Sequence, residues 1–363
     1  MHRHEDIVTQ DKNADYKTDY KFEDKSEDKS EGKSGKKPKV AIIVTGGTIL
    51  CDYDPLTNKI KPVKTGAELL AELPALKNRY EVDLIEFSNM PGPHLTPQIG
   101  LNLADTIEAT IKRRDISGVV VLQGTDTLEE MSYLCYLLVD AKKPVVFTGS
   151  MKSSRELYVD SMGNLYGATC LAASEEGANR GVMVYFNQNI LSPRYVVKTK
   201  ASNVDSFQAP ETGPIGVVNN DNIRFFNPTA VTMPKNYRPQ NLTSNVQLIK
   251  VSCGNDDMLL HSCVENKVDG IVIEGYGTGN IPPNLIPALK KAVDRGIPVV
   301  VVSQCIEGFA NHAYDYVGGG AQLKEIGVIC GQNLGGLRAR LKLIVLHSVN
   351  KDMDYIRQGF SED

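Results

Sequence analysis

Three short polar stretches carry residue types from which chemistry could be built. They are Thr45-Gly46-Gly47-Thr48, Gln123-Gly124-Thr125-Asp126-Thr127 and Arg194-Tyr-Val-Val-Lys198-Thr199. A threonine hydroxyl is a poor nucleophile at neutral pH and needs a base or a desolvated lysine to take its proton. Lys198 is a candidate for that part. Asp126 could hold a lysine or a substrate ammonium, and the N–H groups of glycine turns suit an oxyanion. Each stretch also has a plainer account. TGGT alone is a strand-ending turn with capping threonines. Thr127 followed by Glu130 spells a capping box, and a lysine among β-formers usually lies on a solvated face. The six histidines, at 2, 4, 94, 261, 312 and 347, have no i, i+4 partner and no GxSxG elbow, which argues against a histidine triad.

Strands must position these residues. The run Val40-Ala-Ile-Ile-Val44 is β-branched and apolar on both faces, as in a strand buried inside a parallel sheet. TGGT follows it directly, and QGTDT follows a similar run at 118–122. Both therefore fall at strand carboxyl ends, where open α/β sheets bind ligands. Further strand-like runs at 82–87, 144–148 and 181–186 alternate with helix-like stretches at 65–73, 97–113, 128–141 and 164–174. Residues 192–231 suggest strands, a hairpin and loops. After polar residues around Pro239, strands at 246–251, 270–274 and 298–304 alternate with helices at 256–265, 284–294 and 334–347. The expectation is an α/β protein of two domains. A larger N-terminal parallel-sheet domain with helices on both faces spans 39–236, 237–245 is a linker, and a smaller C-terminal α/β domain spans 246–363. Residues 1–38, with near-repeats of Glu-Asp-Lys-Ser, are too charged to bury a core and are expected to be a disordered tail.

Bulk composition removes several function classes. With 41% hydrophobic and 23% charged residues the chain is of ordinary globular type, and its net charge of -4 provides no basic field for nucleic acid. No apolar run approaches the ~20 residues that span a membrane, and Met1-His-Arg-His-Glu-Asp has no apolar signal region. Seven scattered cysteines form no CxxC and no zinc spacing. They read as small core residues in a reduced, cytoplasmic setting, and no metal is expected. Gly318-Gly-Gly320 lacks the dinucleotide spacing, and no Walker motif occurs.

Thr45-Gly-Gly-Thr-Ile49 and Gly124-Thr-Asp-Thr127 resemble the two signature motifs of the bacterial-type L-asparaginase (asparaginase/glutaminase) family. Phe147-Thr-Gly-Ser-Met151, Asp160-Ser-Met-Gly-Asn-Leu165, Ala178-Asn-Arg-Gly181, Lys198-Thr199 and Gly275-Tyr-Gly-Thr-Gly-Asn280 extend the match over about residues 39–350. The resemblance implies hydrolysis of the L-asparagine side-chain amide to aspartate and ammonia, without cofactor. It implies Thr48 as nucleophile, Thr125 as the residue that orients or activates water, Lys198 as its proton-accepting neighbour, and Asp126 as the holder of the substrate ammonium. The backbones of Gly47 and Thr125 would face the oxyanion, with Gly124 in the same turn, and the Ser150 carbonyl would contact the substrate amide. It also implies a homotetramer or homodimer whose sites are completed by the partner's smaller domain.

Some positions depart from the family pattern. Gln123 stands where histidine is usual. Gly92, followed by Pro93, replaces the serine of the carboxylate loop, so a hydroxyl is lost while an N–H is kept. Thr278 replaces an asparagine often contributed by the partner subunit. The lid tyrosine's usual place holds Ile60, which makes Tyr53 the candidate. The alternatives are a glutaminase-type enzyme, the amidase subunit of a tRNA-dependent amidotransferase, and a non-catalytic binder of asparagine or aspartate.

Overall fold

Buried β-branched runs dictate the centre of the molecule. The computed structural model describes residues 36–54, 56–57, 59–62, 64–153, 156–226 and 237–361. Most of the stretch expected to be a disordered tail lies outside them. Strand β1, Lys39–Val44, is buried from Val40 onward. It leads into a hairpin, β2 (Cys51–Asp54) and β3 (Lys59–Pro62), paired antiparallel with Tyr53 opposite Ile60. Next come α1 (Gly66–Ala71), α2 (Pro74–Arg79), β4 (Glu81–Glu86), α3 (Pro97–Ile111) and β5 (Gly118–Leu122). These are followed by α4 (Leu128–Leu138), β6 (Val145–Thr148), α5 (Ser161–Ala173), β7 (Val182–Phe186) and β8 (Asn189–Leu191). Short strands β9 (Val197–Lys198) and β10 (Phe207–Gln208) form their own pair, and β11 (Gly216–Asn219) and β12 (Asn222–Phe225) follow.

The large sheet has the order β12-β11-β8-β7-β6-β5-β1-β4. Strands β4, β1, β5, β6 and β7 are mutually parallel, while β8, β11 and β12 extend the sheet antiparallel. Alternate residues of the central strands serve opposite faces, as period-2 geometry requires. Ile43 and Val121 join the core under α3 and α4. Ile42 and Val120 join the one formed with α1, α2 and α5. The chain leaves β1 toward the face covered by α1 and α2 and leaves the neighbouring β5 toward the face covered by α4, and a crevice opens between the turns after β1 and β5.

The C-terminal region carries β13 (Val246–Lys250), α6 (Met258–Glu265), β14 (Gly270–Gly275), α7 (Ile286–Asp294) and β15 (Val299–Ser303). It continues with α8 (Gly320–Ile326), β16 (Ile329–Cys330), α9 (Gly336–Val349) and α10 (Met353–Ser361). Its sheet is parallel throughout, in the order β13-β14-β15-β16. The helix α9 packs on α4, and one apolar cluster runs from β1 and β5 through these helices to Val272 and Val300. The stretch read as a linker is pinned down. Tyr237 and Leu242 are buried, Tyr237 N–H donates to Leu137 O at 3.1 Å, and Leu242 N–H donates to Gln98 Oε1 at 2.9 Å.

Local chemistry moved several boundaries. The helix expected over 65–73 ends at Ala71, and a second helix that was not expected starts at Pro74, a residue suited to a first helical position. A capping box does form, at Thr65 and Glu68. The one expected at Thr127 and Glu130 does not. The Thr127 hydroxyl instead donates to Gly92 O at 3.1 Å and accepts from Gln123 Nε2 at 3.3 Å. Burial and the neighbouring Glu129 charge push the Glu130 carboxyl up. Cys135, Cys170 and Cys263 are core residues as expected, whereas Cys253 and Cys305 are exposed.

Candidate active site

The turn after β1 is set by its backbone and by the Thr45 hydroxyl. Thr45 N–H and Oγ1 both donate to Leu122 O, at 2.9 and 3.0 Å, tying the end of β1 to the end of β5. Gly46 and Gly47 follow at φ +122° and +98°, a region L side chains rarely adopt. They deliver Thr48 to the first position of a 3₁₀ turn, Thr48–Leu50, where it is half-buried. A Cβ on Gly46 would lie 2.7 Å from Met90 N, and Met90 N–H in turn donates to Thr45 O at 3.0 Å. The Cys51 thiol donates to Gly47 O at 3.4 Å, and burial pushes that thiol up.

The turn after β5 meets it. A Cβ on Gly124 would lie 3.3 Å from Gly47 Cα and 3.3 Å from Gly92 N, so three loops converge at a junction of glycines. Lys198 Nζ donates to Thr125 Oγ1 at 3.0 Å and to Asp126 Oδ1 at 2.7 Å. The lysine side chain is 18% exposed and the aspartate 61%, so the pair has one sheltered and one open end. Lys198 is thus not on a solvated face. It projects from a two-residue strand onto the second turn, and its own N–H donates to Glu129 Oε2 at 2.7 Å.

A fourth loop closes the group. Gln123 N–H donates to Thr148 O at 2.9 Å, placing Gly149 and Ser150 beside the second turn. Asp160, ahead of α5, accepts from Ser150 Oγ at 2.7 Å and from the N–H groups of Met151 and Lys152, both at 3.0 Å. Asn164 Nδ2 donates to Gly149 O at 3.0 Å.

The structure therefore brings together Gly47, Gly92, Gly124, Thr125, Asp126 and Lys198, with Thr48 and Ser150 on adjoining turns. Gly92 is buried and Pro93 exposed in the 3₁₀ turn Gly92–His94. Thr278 is apart. It lies in the turn after β14, its Oγ1 is buried without a hydrogen-bond partner among the described residues, and its carbonyl accepts from Asn311 N–H at 3.0 Å. The side chains of Tyr53 and Ile60, rivals for the lid, lie outside the described set. Sequence reasoning missed Glu129 and Asp160 as supports. Glu129 left a weak signal, one of two adjacent acids in the first turn of a mostly apolar helix. Among the described residues no group of three or more His, Cys, Asp or Glu could hold a metal ion, and no helix is long and apolar enough to cross a membrane.

Residues 39–231 match the family described as Asparaginase, N-terminal, and residues 245–360 match the Glutaminase/Asparaginase C-terminal domain. The chain belongs to the asparaginase family. Among its relatives, the L-asparaginase of Bacillus licheniformis is 32% identical over 314 residues, covering 86% of this chain and 97% of that protein. The probable L-asparaginase of Deinococcus radiodurans is 35% identical over 330 residues, covering 90% and 98%. The crystal structure of a probable cytoplasmic L-asparaginase from Campylobacter jejuni superposes with a TM-score of 0.81 at 30% identity, covering 90% of this chain and 99% of that one. For an asparaginase-family chain, the glycine junction and the Lys198 contacts are the local features that bear most directly on chemistry.

Proposed function

We propose that this chain is an amidohydrolase that converts L-asparagine to L-aspartate and ammonia, with Thr48 as nucleophile. The observation that carries the reading is Lys198 Nζ bridging Thr125 Oγ1 and Asp126 Oδ1, beside the junction of Gly47 and Gly124. In the first half-reaction the Thr48 hydroxyl adds to the amide carbon and its proton passes toward the leaving nitrogen. The N–H groups of Gly47 and Thr125 face the oxyanion. The C–N bond breaks, ammonia departs and a threonyl ester remains. In the second, water held by Thr125 adds to the ester carbon, Lys198 easing removal of its proton. The Thr48–acyl bond breaks and aspartate leaves with Thr48 reprotonated.

Asp126, open to solvent at one end, receives the substrate ammonium. The Gly92 N–H, in a loop continued by Pro93, receives the substrate carboxylate, and the Ser150 carbonyl meets the side-chain amide. Tyr53 serves as the lid. Thr278, on the turn after β14, acts across an interface, in a homotetramer or homodimer that completes each site.

Steady-state ammonia release from L-asparagine, L-glutamine and D-asparagine tests the reading, with Thr48→Ala and Lys198→Met alongside. L-Asparagine is expected to be the preferred substrate and both variants inactive. Undiminished turnover in both variants overturns the assignment of roles. Light scattering of the purified chain tests the oligomer.

A further inference from the structure

Strand β9 is only two residues long, yet it carries Lys198. Its pairing with β10 places Lys198 opposite Phe207 and Val197 opposite Gln208, and Thr199 N–H donates to Ser206 O at 2.8 Å. In an antiparallel ladder alternate residues turn their backbone groups to the partner strand and away from it. Val197 and Thr199 face β10, so Val196 and Lys198 face the other way, where no strand pairs. Two side chains occupy that open edge. Glu129 Oε2, from the first turn of α4, accepts the Lys198 N–H at 2.7 Å. Arg338 Nη1, from α9, donates to Val196 O at 2.8 Å. Each residue is 8% exposed. One acceptor and one donor, two residues apart on the same edge, reproduce what a neighbouring strand would supply.

Both bonds are charge-assisted, which makes them stronger than ordinary backbone pairing. The two side chains also answer each other's charge. Burial pushes the Arg338 guanidinium down, and the Glu129 carboxylate is the first group opposing that. A buried charge that loses its partner is costly, so the pair holds its geometry jointly. The same segment has a second tie to the C-terminal region, Arg194 Nη2 donating to Asn333 Oδ1 at 2.7 Å. Removing the Arg338 bond frees a strand whose other edge has only β10, and the Nζ at its end must reach two oxygens at once.

We propose that Glu129 and Arg338 are positioning residues for Lys198, a side-chain substitute for a missing strand that makes proton transfer at Thr125 depend on the C-terminal region of the same chain. This rests on the reading that Lys198 takes part in the reaction.

Ammonia release from L-asparagine is measured for the wild type, Lys198→Met, Arg338→Met, Arg338→Lys, Glu129→Leu and Glu129→Gln, with thermal unfolding of each. Arg338→Met is expected to lower kcat about tenfold or more, since displacements of about 1 Å can cost that much, with KM within about threefold. Arg338→Lys, which keeps a charged donor, recovers most of the loss. Glu129→Leu behaves like Arg338→Met, and Glu129→Gln, which keeps an oxygen acceptor, recovers in the same way. A folded Arg338→Met protein with wild-type kcat, while Lys198→Met is inactive, overturns the proposal and leaves the role of the lysine standing. A raised KM at unchanged kcat overturns it too. An active Lys198→Met protein removes the premise instead. If Arg338→Met does not fold, the two Glu129 variants decide, and equal kcat in them overturns the proposal.

Discussion

Gly47 and Gly124 touch through their Cα atoms: a Cβ on Gly124 would lie 3.3 Å from Gly47 Cα, and a Cβ on Gly47 would overlap Gly124 outright. Nothing larger than hydrogen separates the turn that carries Thr48 from the turn that carries Thr125 and Asp126. Gly47 also sits at φ +98°. Gly47→Ala is therefore expected to be disfavoured twice, by backbone strain of about 1–3 kcal/mol and by collision with backbone that has no flexible end to give way. The measurement is thermal unfolding together with kcat. A lower midpoint with activity reduced at least about a hundredfold is the expected result, and wild-type kcat would show that the two turns need not touch.

Gly92 gives an opposite expectation. A Cβ there would lie 3.2 Å from Thr127 Oγ1, a contact a hydroxyl can relieve by a few tenths of an ångström, and Gly92 is not at positive φ. Gly92→Ser is expected to fold and to add a donor for the substrate carboxylate. Its KM for L-asparagine should fall about fivefold, in keeping with one ordinary hydrogen bond of about 1 kcal/mol, with kcat within about twofold. A KM that stays put would place the carboxylate elsewhere.

Asp160 holds the Ser150 loop through three donors. Asp160→Ala leaves the Met151 N–H without its acceptor and the Lys152 N–H with only Ser150 Oγ, at 3.2 Å, and is expected to cost about 1–3 kcal/mol. KM should rise as the Ser150 carbonyl loses its fixed position. Chemical denaturation and substrate titration read the two effects separately, and a stability loss with unchanged KM would make Asp160 a purely structural residue.

His347, on α9, has its Nδ1 3.0 Å from Ser244 Oγ. Burial pushes its imidazole below the ordinary value of 6.5, against Asp269, which raises it, and with Lys351, which lowers it further. A depressed native value means that the unfolded chain binds the proton first. The contribution is fully present above pH 6.5 and is lost as pH falls through the lower native value. Urea midpoints between pH 7.5 and about 5 are expected to fall more steeply for the wild type than for His347→Gln. Parallel slopes would remove His347 as the cause.

Much of this was written in the sequence because it depends on local rules. Buried strands announce themselves by β-branched residues on both faces, and 118–122 is the observed β5 to the residue. Glycines after such strands, a pair in TGGT and one in QGTDT, marked the turns. Hydrogen bonds that a side chain could satisfy in more than one way were not legible. Thr127 had a local partner available through a capping box, but Gly92 O, brought close by the fold, took its hydroxyl. Arg338 reads as a charged residue on an apolar helix, and only the packing of α9 on α4 reveals that it faces a backbone carbonyl 142 residues away. The large sheet also carries an antiparallel margin, β8, β11 and β12; strands and a hairpin were expected within 192–231, but not that β11 and β12 would extend the large sheet through β8.

The contrast between β1 and β9 bears on how durable activity is. The peptide groups of β1 are paired to β4 on one side and β5 on the other, so their amides can exchange with solvent only when the whole sheet opens. The Lys198 amide is held by one carboxylate on a two-residue strand, and a local opening releases it. In mild denaturant the lysine would part from Thr125 while the sheet still gives its full circular dichroism. On the proposed role of Lys198, activity would then fall at a denaturant concentration that leaves the surrounding fold intact, and would return on dilution.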